Sequence, residues 1–246
     1  MISDINKSVL PPGSKLGSER SLAEHYQVSR STLRHVLTSL ESAGLVQRIP
    51  GRAGGTFISH AKVDRDLTGI VGVPAYLARQ GYSTGSRVLS TQMVNAGDDA
   101  CNAFGISHDE FVIDIRRVRL ADHTPISLEH AQFPASRFAG LMECSLGGSI
   151  YELLSERFGV VIGEAHEVIE VVNATSAESE MLSIEDGAPL LSVSRITDDA
   201  DGHSFELSYD LFRADRTTIS VRAAGPGLSN LAQPNGEHIE FRFGDV

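Results

Sequence analysis

The chain has 246 residues, of which 41% are hydrophobic and 22% charged, and its formal net charge is −11. This length allows one or two domains, and the composition is that of an ordinary globular chain, which excludes wholesale disorder. Two cysteines in no metal or redox spacing exclude a disulfide scaffold. Neither a signal peptide nor an apolar run near the roughly 18 residues of a membrane span is present, so we expect a cytoplasmic protein.

The charge is distributed unevenly along the chain. Residues 1–65 contain nine basic and five acidic side chains, whereas residues 66–246 contain twelve basic and 27 acidic ones. No lysine follows Lys62. This asymmetry predicts two modules with different partners, although chance variation in solvated surface charge could also produce it.

The first module contains two predicted helices. Residues 18–26 form the first, because Ser18 is a good N-cap and apolar residues follow it at helical spacing. Ser29 caps the second, and Gly44 is expected to end it. The second helix carries a core-facing apolar stripe at Leu33, Val36, Leu37 and Leu40. The short connection between the helices is typical of a helix-turn-helix.

Basic residues lie where this motif would meet nucleic acid. Arg30 and Arg34 are one turn apart near the start of the second helix, the end that a recognition helix inserts into the major groove. Two short strands, 45–48 and 56–59, then enclose a glycine-rich turn with Arg52, as in a wing. An ordinary helical pair followed by a hairpin with solvated arginines is the alternative.

The segment PPGSKLGSERSLAEHYQVSRSTLRHVLTSLESAGLVQRIPGRAGGTF resembles the winged helix-turn-helix of GntR-type bacterial transcription regulators. Two departures are Gly17 in place of a proline and the short segment before Pro11, where this family has a full helix. Either the first helix is shortened here or the native start lies upstream of Met1, and we favour the second interpretation. The resemblance implies a DNA-binding surface made of arginines, helix-start hydroxyls and wing residues: Arg20, Ser29, Arg30, Ser31, Thr32, Arg34, Arg52, Gly54 and Gly55.

The second module alternates short helices and strands, which predicts an α+β class with an antiparallel sheet. Asp201-Gly202 is a strong hairpin signal. Helices are predicted at 74–80, at 146–159, where Ser149 is the cap and Gly159 the end, and at 176–184. Strands are predicted at 87–94, 110–120, 126–133, 167–174, 189–198 and 203–213.

One strand of this module has an unusual pattern. Period-two alternation places Ile113 and Ile115 on the same face as Arg117 and Arg119. Arginines that continue an apolar face are costly unless they are paired or face a polar pocket. The alternative is a strand whose end emerges into solvent.

The pieces GVPAYLARQGY, IRRVRLADHTPISLEHAQFP, SIYELLSERFGV and GAPLLSVSRITDDADGHSFELSYDLFRAD resemble the UTRA domain of the HutC branch of the GntR family. The resemblance implies a chorismate lyase-like fold that senses a small metabolite, often a sugar phosphate or another anion. It implies that Arg117 and Arg119 hold the anionic group, assisted by the start of a helix. Alternatively, Glu129 and Glu206 only neutralise the charges of the two arginines. The implied effector-binding residues are Val73, Arg117, Arg119, Glu129, Ser149, Tyr151, Glu206 and Phe212.

Two departures bear on the effector. Phe212 stands where many sugar-phosphate sensors of this family have a tyrosine, and Pro74 removes a backbone donor from the loop 69–74. We therefore expect the effector to be an organic anion, which need not be a phosphate.

The sequence thus predicts a winged helix-turn-helix at 1–60, a linker at 61–69, a UTRA ligand-binding and dimerisation domain at 70–224 and a tail of unknown structure at 225–246. We expect a homodimeric, metabolite-responsive repressor of a palindromic operator, without metal or cofactor and without enzymatic activity. An enzyme of the chorismate lyase-like fold and an effector-independent DNA-binding protein are the alternatives.

Overall fold

The computed structural model describes residues 14–42, 46–49, 51, 54–58 and 62–222. Several sequence predictions fall outside these residues and are not addressed below: the segment before Pro11, the helix end at Gly44, the wing residue Arg52 and the tail 225–246.

The first module is a small helical unit closed by a three-stranded sheet. It contains, in chain order, strand β1 (Lys15–Gly17), helices α1 (Glu19–His25) and α2 (Arg30–Ser42), and strands β2 (Val46–Ile49) and β3 (Gly55–Ile58). The antiparallel sheet has the order β1-β3-β2. Both predicted helices are present, whereas β1 was not predicted.

Local hydrogen bonds explain where the two helices begin. Ser18 and Ser21 form a capping box, in which each side chain accepts a hydrogen bond from the backbone N–H of the other. Ser29 Oγ accepts from the backbone N–H of Thr32 at 3.1 Å. The core beneath is formed by Leu22, Ala23, Leu33, Leu37, Leu40 and Val46. Val36 is 36% exposed, so this member of the predicted stripe lies outside the core.

The second module is built on a six-stranded antiparallel sheet with the order β5-β6-β7-β10-β9-β8, beside a parallel β4-β11 pair. This architecture confirms the predicted α+β class. The strands are β4 (Val63–Asp66), β5 (Thr84–Asn95), β6 (Phe111–Ala121), β7 (Thr124–Pro134), β8 (Ile162–Asn173), β9 (Pro189–Asp199), β10 (Ser204–Arg213) and β11 (Thr217–Ser220). The helices are α3 (Val73–Arg79), α4 (Asp98–Phe104), α5 (Ile150–Phe158) and α6 (Ser176–Leu182), with a 3-10 turn at Leu141–Glu143.

The two ends of one sheet face are apolar and its middle is charged. At one end Ile113 and Ile115 pack with α5, the 3-10 turn and several phenylalanines. At the other end Ala121 packs with α3 and β4. Arg117 and Arg119 lie between these two clusters, as the alternation of β6 requires. Helices α4 and α6 cover parts of the opposite face.

The structure differs from the sequence prediction at the start of this module. Residues 63–66 were assigned to a linker, but they form β4 and pair in parallel with Thr217–Ser220. A four-residue strand that alternates Val63 and Arg65 with two aspartates offers too short an apolar pattern to be recognised from sequence.

Within the described part of the chain, no helix is long and apolar enough to cross a membrane.

We predict that Gly163→Ala destabilises the six-stranded sheet by about 1–3 kcal/mol, the usual cost of overpacking. A Cβ on this β8 residue would collide with the carbonyl of Asp199 and lie 2.7 Å from its carbon. Gly147→Ala is the control, since a Cβ there meets no atom within 4 Å. Denaturant unfolding followed by tyrosine fluorescence measures both variants. Equal midpoints for the two variants would contradict this prediction.

Candidate effector pocket and nucleic-acid interface

The start of α2 presents a cluster of hydroxyl groups. Ser29 Oγ lies 2.8 Å from Ser31 Oγ and 2.7 Å from Thr32 Oγ1, and all three residues are exposed. Arg30 and Arg34 are exposed on the same helix. The structure therefore brings five of the predicted DNA-contacting residues together at one end of one helix. Hydroxyls and guanidinium groups are suited to phosphate oxygens and base edges.

Two of the four predicted DNA-contacting arginines, Arg20 and Arg34, form ion pairs within the protein. Arg20 Nε lies 3.0 Å from Glu24 Oε1 on α1, and Arg34 Nη2 donates to Glu19 Oε2 at 2.9 Å. The hydrogen bond from Arg34 holds the pKa of the Glu19 carboxyl below its ordinary value. Arg34 is therefore hydrogen-bonded to α1 in the structure without DNA.

The glycines of the predicted wing differ in what the fold demands of them. Gly54 donates its backbone N–H to the carbonyl of Gly51 at 3.0 Å, which closes a turn. Gly55 has φ +150°, and a Cβ there would lie 2.7 Å from Lys15 Cε and 2.9 Å from the carbonyl of Gly17. The need for glycine at position 55 thus comes from the close approach of β1.

The candidate effector site is a cavity of about 40 Å³ in the charged middle of the sheet face. Six predicted effector residues line it: Val73, Arg117, Arg119, Glu129, Tyr151 and Glu206. The structure adds three ionisable residues that sequence reasoning missed: Arg65, Arg195 and Asp210.

At the centre of the site one carboxylate lies between two guanidinium groups. The antiparallel register of β6 and β7 places Arg117 opposite Glu129. Arg117 Nη2 lies 2.6 Å from Glu129 Oε2, and Arg119 Nε donates to Glu129 Oε1 at 2.9 Å. All three side chains are less than a tenth exposed. Two cations and one anion leave one positive charge, which suits an anionic ligand.

Burial alone would raise the pKa of the Glu129 carboxyl, but the charges of Arg117 and Arg119 outweigh it and hold that pKa below its ordinary value. Glu129 is therefore a carboxylate at neutral pH. As in the alternative interpretation of the sequence, Glu129 neutralises guanidinium charge. It balances one of the two charges, so one positive charge remains in the cluster.

The loop before α5 accepts further hydrogen bonds from both guanidinium groups. Arg117 Nη1 donates to the carbonyls of Leu146 and Gly148, at 2.9 and 3.3 Å. Arg119 donates to the carbonyls of Gly147 and Gly148, at 3.3 and 3.0 Å. An anion that binds both guanidinium groups must compete with these carbonyls.

Ser149 follows this loop and caps α5, since its Oγ accepts from the backbone N–H of Glu152 at 3.3 Å. It lies beside the loop 69–74, because a Cβ on Gly72 would be 2.8 Å from Ser149 Oγ. Ser149 is therefore at the rim of the cavity rather than among the residues that line it.

A second hydrogen-bond network borders the other side of the cavity. Tyr151 donates its hydroxyl to Glu206 Oε2 at 2.5 Å and accepts from Arg195 Nη1 at 2.9 Å. Thr197 Oγ1 also donates to Glu206 Oε2, at 2.8 Å. Burial raises the pKa of the Tyr151 hydroxyl, and the negative charge of Glu206 raises it further, so the phenol stays protonated.

Phe212 is completely buried and does not line the cavity. Its ring packs against Arg65, whose guanidinium carbon is 4.6 Å from the ring centroid. A phenylalanine has no hydroxyl to offer a ligand, and here its face supports the arginine of β4.

Arg65 also borders a neighbouring cavity of about 50 Å³, together with Tyr76. Arg65 Nη2 donates to Glu167 Oε1 at 2.9 Å, but Arg65 Nη1 and the Tyr76 hydroxyl are buried without a hydrogen-bond partner. Buried donors of this kind are costly unless an acceptor reaches them. They are therefore available to a polar oxygen of a bound molecule or water.

The sequence contained a signal for one of the missed residues. Asp210 lies four residues after Glu206 on β10, and residues at even separation on a strand share a face. No comparable pattern marked Arg65 or Arg195, which come from strands far apart in the chain.

Comparisons with known proteins agree with this architecture. Residues 1–58 match the family model described as bacterial regulatory proteins of the gntR family, and residues 79–218 match the UTRA domain model. The repressor NagR of Bacillus subtilis is 32% identical over 215 residues, covering 87% of this chain and 88% of that protein. A probable fructoselysine utilization operon repressor of Shigella flexneri is 29% identical, covering 90% of each chain. The crystal structure of PhnF from Mycobacterium smegmatis superposes with a TM-score of 0.68 at 24% identity, covering 91% of this chain and 96% of that one.

Asp210 provides a pH-dependence prediction. Burial raises the pKa of this carboxyl to about 7, against the opposing charge of Arg195 at 3.7 Å. Because the folded-state pKa exceeds the unfolded value, the folded state retains its proton longer, and stability falls as pH rises from about 4 to about 7. Asp210→Asn removes this titration. We expect the variant to gain stability relative to the wild type over this window, with a constant difference above it.

Denaturant unfolding of both proteins at pH 5, 6, 7 and 8 measures this difference. Parallel stability profiles for the wild type and Asp210→Asn would exclude the raised pKa.

Proposed function

The chain belongs to the GntR family of bacterial transcription regulators, in the branch that joins a winged helix-turn-helix to a UTRA domain, and we propose that it is a homodimeric repressor released from its operator by an organic anion. As a member of this family it is a regulator that binds operator DNA and a small-molecule effector, not an enzyme. Operator binding requires access to the chromosome, so we infer a cytoplasmic location.

The DNA-contacting surface in this proposal is the start of α2. Arg30 and Arg34 read base edges or phosphates, Arg20 approaches from α1, and Ser29, Ser31 and Thr32 bond phosphate oxygens. Gly54, Gly55 and Arg52 belong to the wing, which approaches the minor groove. The exposed, adjacent placement of the α2 residues supports this assignment. We propose 1–60 as the DNA-binding unit and extend the effector domain forward to include β4.

The observation that carries the effector assignment is the buried cluster of Arg117, Arg119 and Glu129, with its excess positive charge. Guanidinium groups bind carboxylates and phosphates through paired hydrogen bonds. Ser149 and Tyr151 add donors at the start of α5, and Glu206, Arg65 and Arg195 contact the rest of the molecule. The effector is therefore a sugar phosphate or another organic anion with polar groups on its body, bound beside Val73, and Phe212 acts on the site only through its packing against Arg65.

The mechanism follows from the size of the cavity. A volume of about 40 Å³ holds only a few waters, because one water needs at least about 10–15 Å³. The effector must therefore open the site, and the loop carbonyls on Arg117 and Arg119 are the groups it displaces. An effector shifts the equilibrium only when it binds one conformation better than the other. In a homodimer, this shift moves the two recognition helices away from the half-site spacing of about 34 Å.

We predict that Arg34→Ala weakens operator binding by about 1–3 kcal/mol, because a guanidinium–base contact is lost. The operator duplex is selected from a random pool with the wild-type protein, and binding is measured by fluorescence anisotropy. Arg79→Ala, which removes a cation from the effector domain, is the control and should leave the affinity unchanged. An unchanged affinity of Arg34→Ala for the selected duplex would refute the docking.

For the effector site, we predict that Arg117→Ala abolishes the response to anions and preserves operator binding. Thermal shift against phosphate, sugar phosphates and organic acids first identifies an anion that stabilises the wild type. Because removing one partner of a buried ion pair is destabilising, Ser149→Ala serves as a milder second variant with both arginines intact. Wild-type response in both variants would remove the assignment. No stabilisation of the wild type by any anion would favour a DNA-binding protein without an effector.

A further inference from the structure

We propose that Glu19 determines operator specificity by holding Arg34 in its reading orientation, while its negative charge lowers the affinity for every duplex. This inference rests on the proposed DNA contact of Arg34. Glu19 is a positioning residue, because it acts on the duplex through Arg34 and through its own negative charge, without contacting a base.

The bond between Glu19 and Arg34 joins two helices. Glu19 is the first residue of α1, directly after the capping residue Ser18, and its Oε2 accepts from Arg34 Nη2 at 2.9 Å across to α2. The Glu19 side chain is 32% exposed and that of Arg34 is 66% exposed. A guanidinium has five N–H donors in a planar fork, so one bond through Nη2 orients the group and leaves donors for DNA.

A neighbouring ion pair keeps Arg48 from forming a close contact with Glu19. Arg48 on β2 reaches Glu19 Oε1 only at 4.0 Å, whereas its Nη2 and Nε lie 2.5 and 2.7 Å from Glu41 Oε2. Glu41 therefore engages Arg48 directly. The shorter contact of Glu19 is the one to Arg34, so loss of the Glu19 carboxylate affects mainly the recognition helix.

Two physical effects of this carboxylate act differently on specific and non-specific binding. A negative charge beside the phosphate backbone weakens binding to every duplex, whatever its sequence. A pre-oriented arginine loses less side-chain entropy on binding, but this advantage is realised only where the sequence presents the matching base edge. The repulsion cancels in the ratio of specific to non-specific affinity, so Glu19 increases this ratio through the orientation of Arg34.

The chain supplies a matched control on the same helix. Glu24 pairs with Arg20 at 3.0 Å between positions i and i+4 of α1, and its side chain is 67% exposed. Glu24→Gln removes the same charge from the same helix without touching α2. Glu24→Gln also releases Arg20, which the proposed docking places near the duplex, so a fall in the ratio confined to Glu19→Gln assigns the effect to Arg34 rather than to the loss of a charge.

The experiment measures dissociation constants for two duplexes of equal length, one selected from a random pool with the wild-type protein and one with its sequence scrambled. The proteins are the wild type, Glu19→Gln, Glu24→Gln, Arg34→Ala and the Glu19→Gln/Arg34→Ala double variant. We expect Glu19→Gln to lower the specificity ratio about tenfold and to tighten binding to the scrambled duplex. Glu24→Gln should tighten binding to both duplexes alike. The Glu19→Gln/Arg34→Ala double variant should have the same specificity ratio as Arg34→Ala alone.

Glu19→Asp separates the two effects. Its shorter side chain retains the charge but cannot keep the 2.9 Å bond, so the ratio should fall without tighter binding to the scrambled duplex. Thermal unfolding checks that each variant is folded.

The proposal is overturned if the ratio of specific to non-specific affinity of Glu19→Gln equals that of the wild type. It is equally overturned if Glu24→Gln lowers this ratio as much as Glu19→Gln does. It is also overturned if Glu19→Gln lowers the ratio as much in the Arg34→Ala background, since Glu19 then acts independently of Arg34. An Arg34→Ala ratio equal to that of the wild type instead refutes the proposed DNA contact of Arg34.

Discussion

The carboxylate of Glu129 between Arg117 and Arg119 is the interaction on which the organisation of the effector domain depends. Three buried ionisable groups are tolerated in a sheet only because the β6–β7 register brings them within hydrogen-bond distance. A one-residue slip in that register would turn each charge to the opposite face. The same register leaves the apolar ends of the face to α3 and α5, so the charged site and the two helices that border it are positioned together.

The two arginines of this cluster connect the site to the backbone of the loop before α5. The carbonyls of residues 146–148 accept hydrogen bonds from both arginines, and Ser149, next in the chain, caps α5. A ligand that takes over the guanidinium donors therefore acts on the segment that leads directly into a helix. On the opposite side, Arg65 ties β4, the strand closest in sequence to the DNA-binding module, to Glu167 on β8. Both connections give an effector a physical route from the pocket to the rest of the fold.

The net charge of −11 describes neither module correctly. The acidic excess lies after residue 65, whereas the first 65 residues have an excess of basic side chains. Charges separated by more than about 8–10 Å are largely screened at physiological salt, so a DNA phosphate responds to the local surface and not to the total. Within that surface, Glu19 and Glu24 each oppose an arginine, so even the basic module is balanced by individual carboxylates.

The sequence by itself determined the two modules, the helix starts at Ser18, Ser29 and Ser149, and the position of two arginines on an apolar strand face, because caps and alternation are local properties. The family resemblance then identified six of the thirteen residues that line the cavity. Only the tertiary structure decided that β4 is a strand, that Phe212 supports Arg65, and that Arg195 and Asp210 join the site. It also decided that backbone carbonyls occupy the arginines and that Glu19 reaches Arg34. Each of these depends on the packing of segments that are distant in the chain, and such contacts leave no periodic pattern in a single sequence, apart from the even spacing of Glu206 and Asp210 on β10.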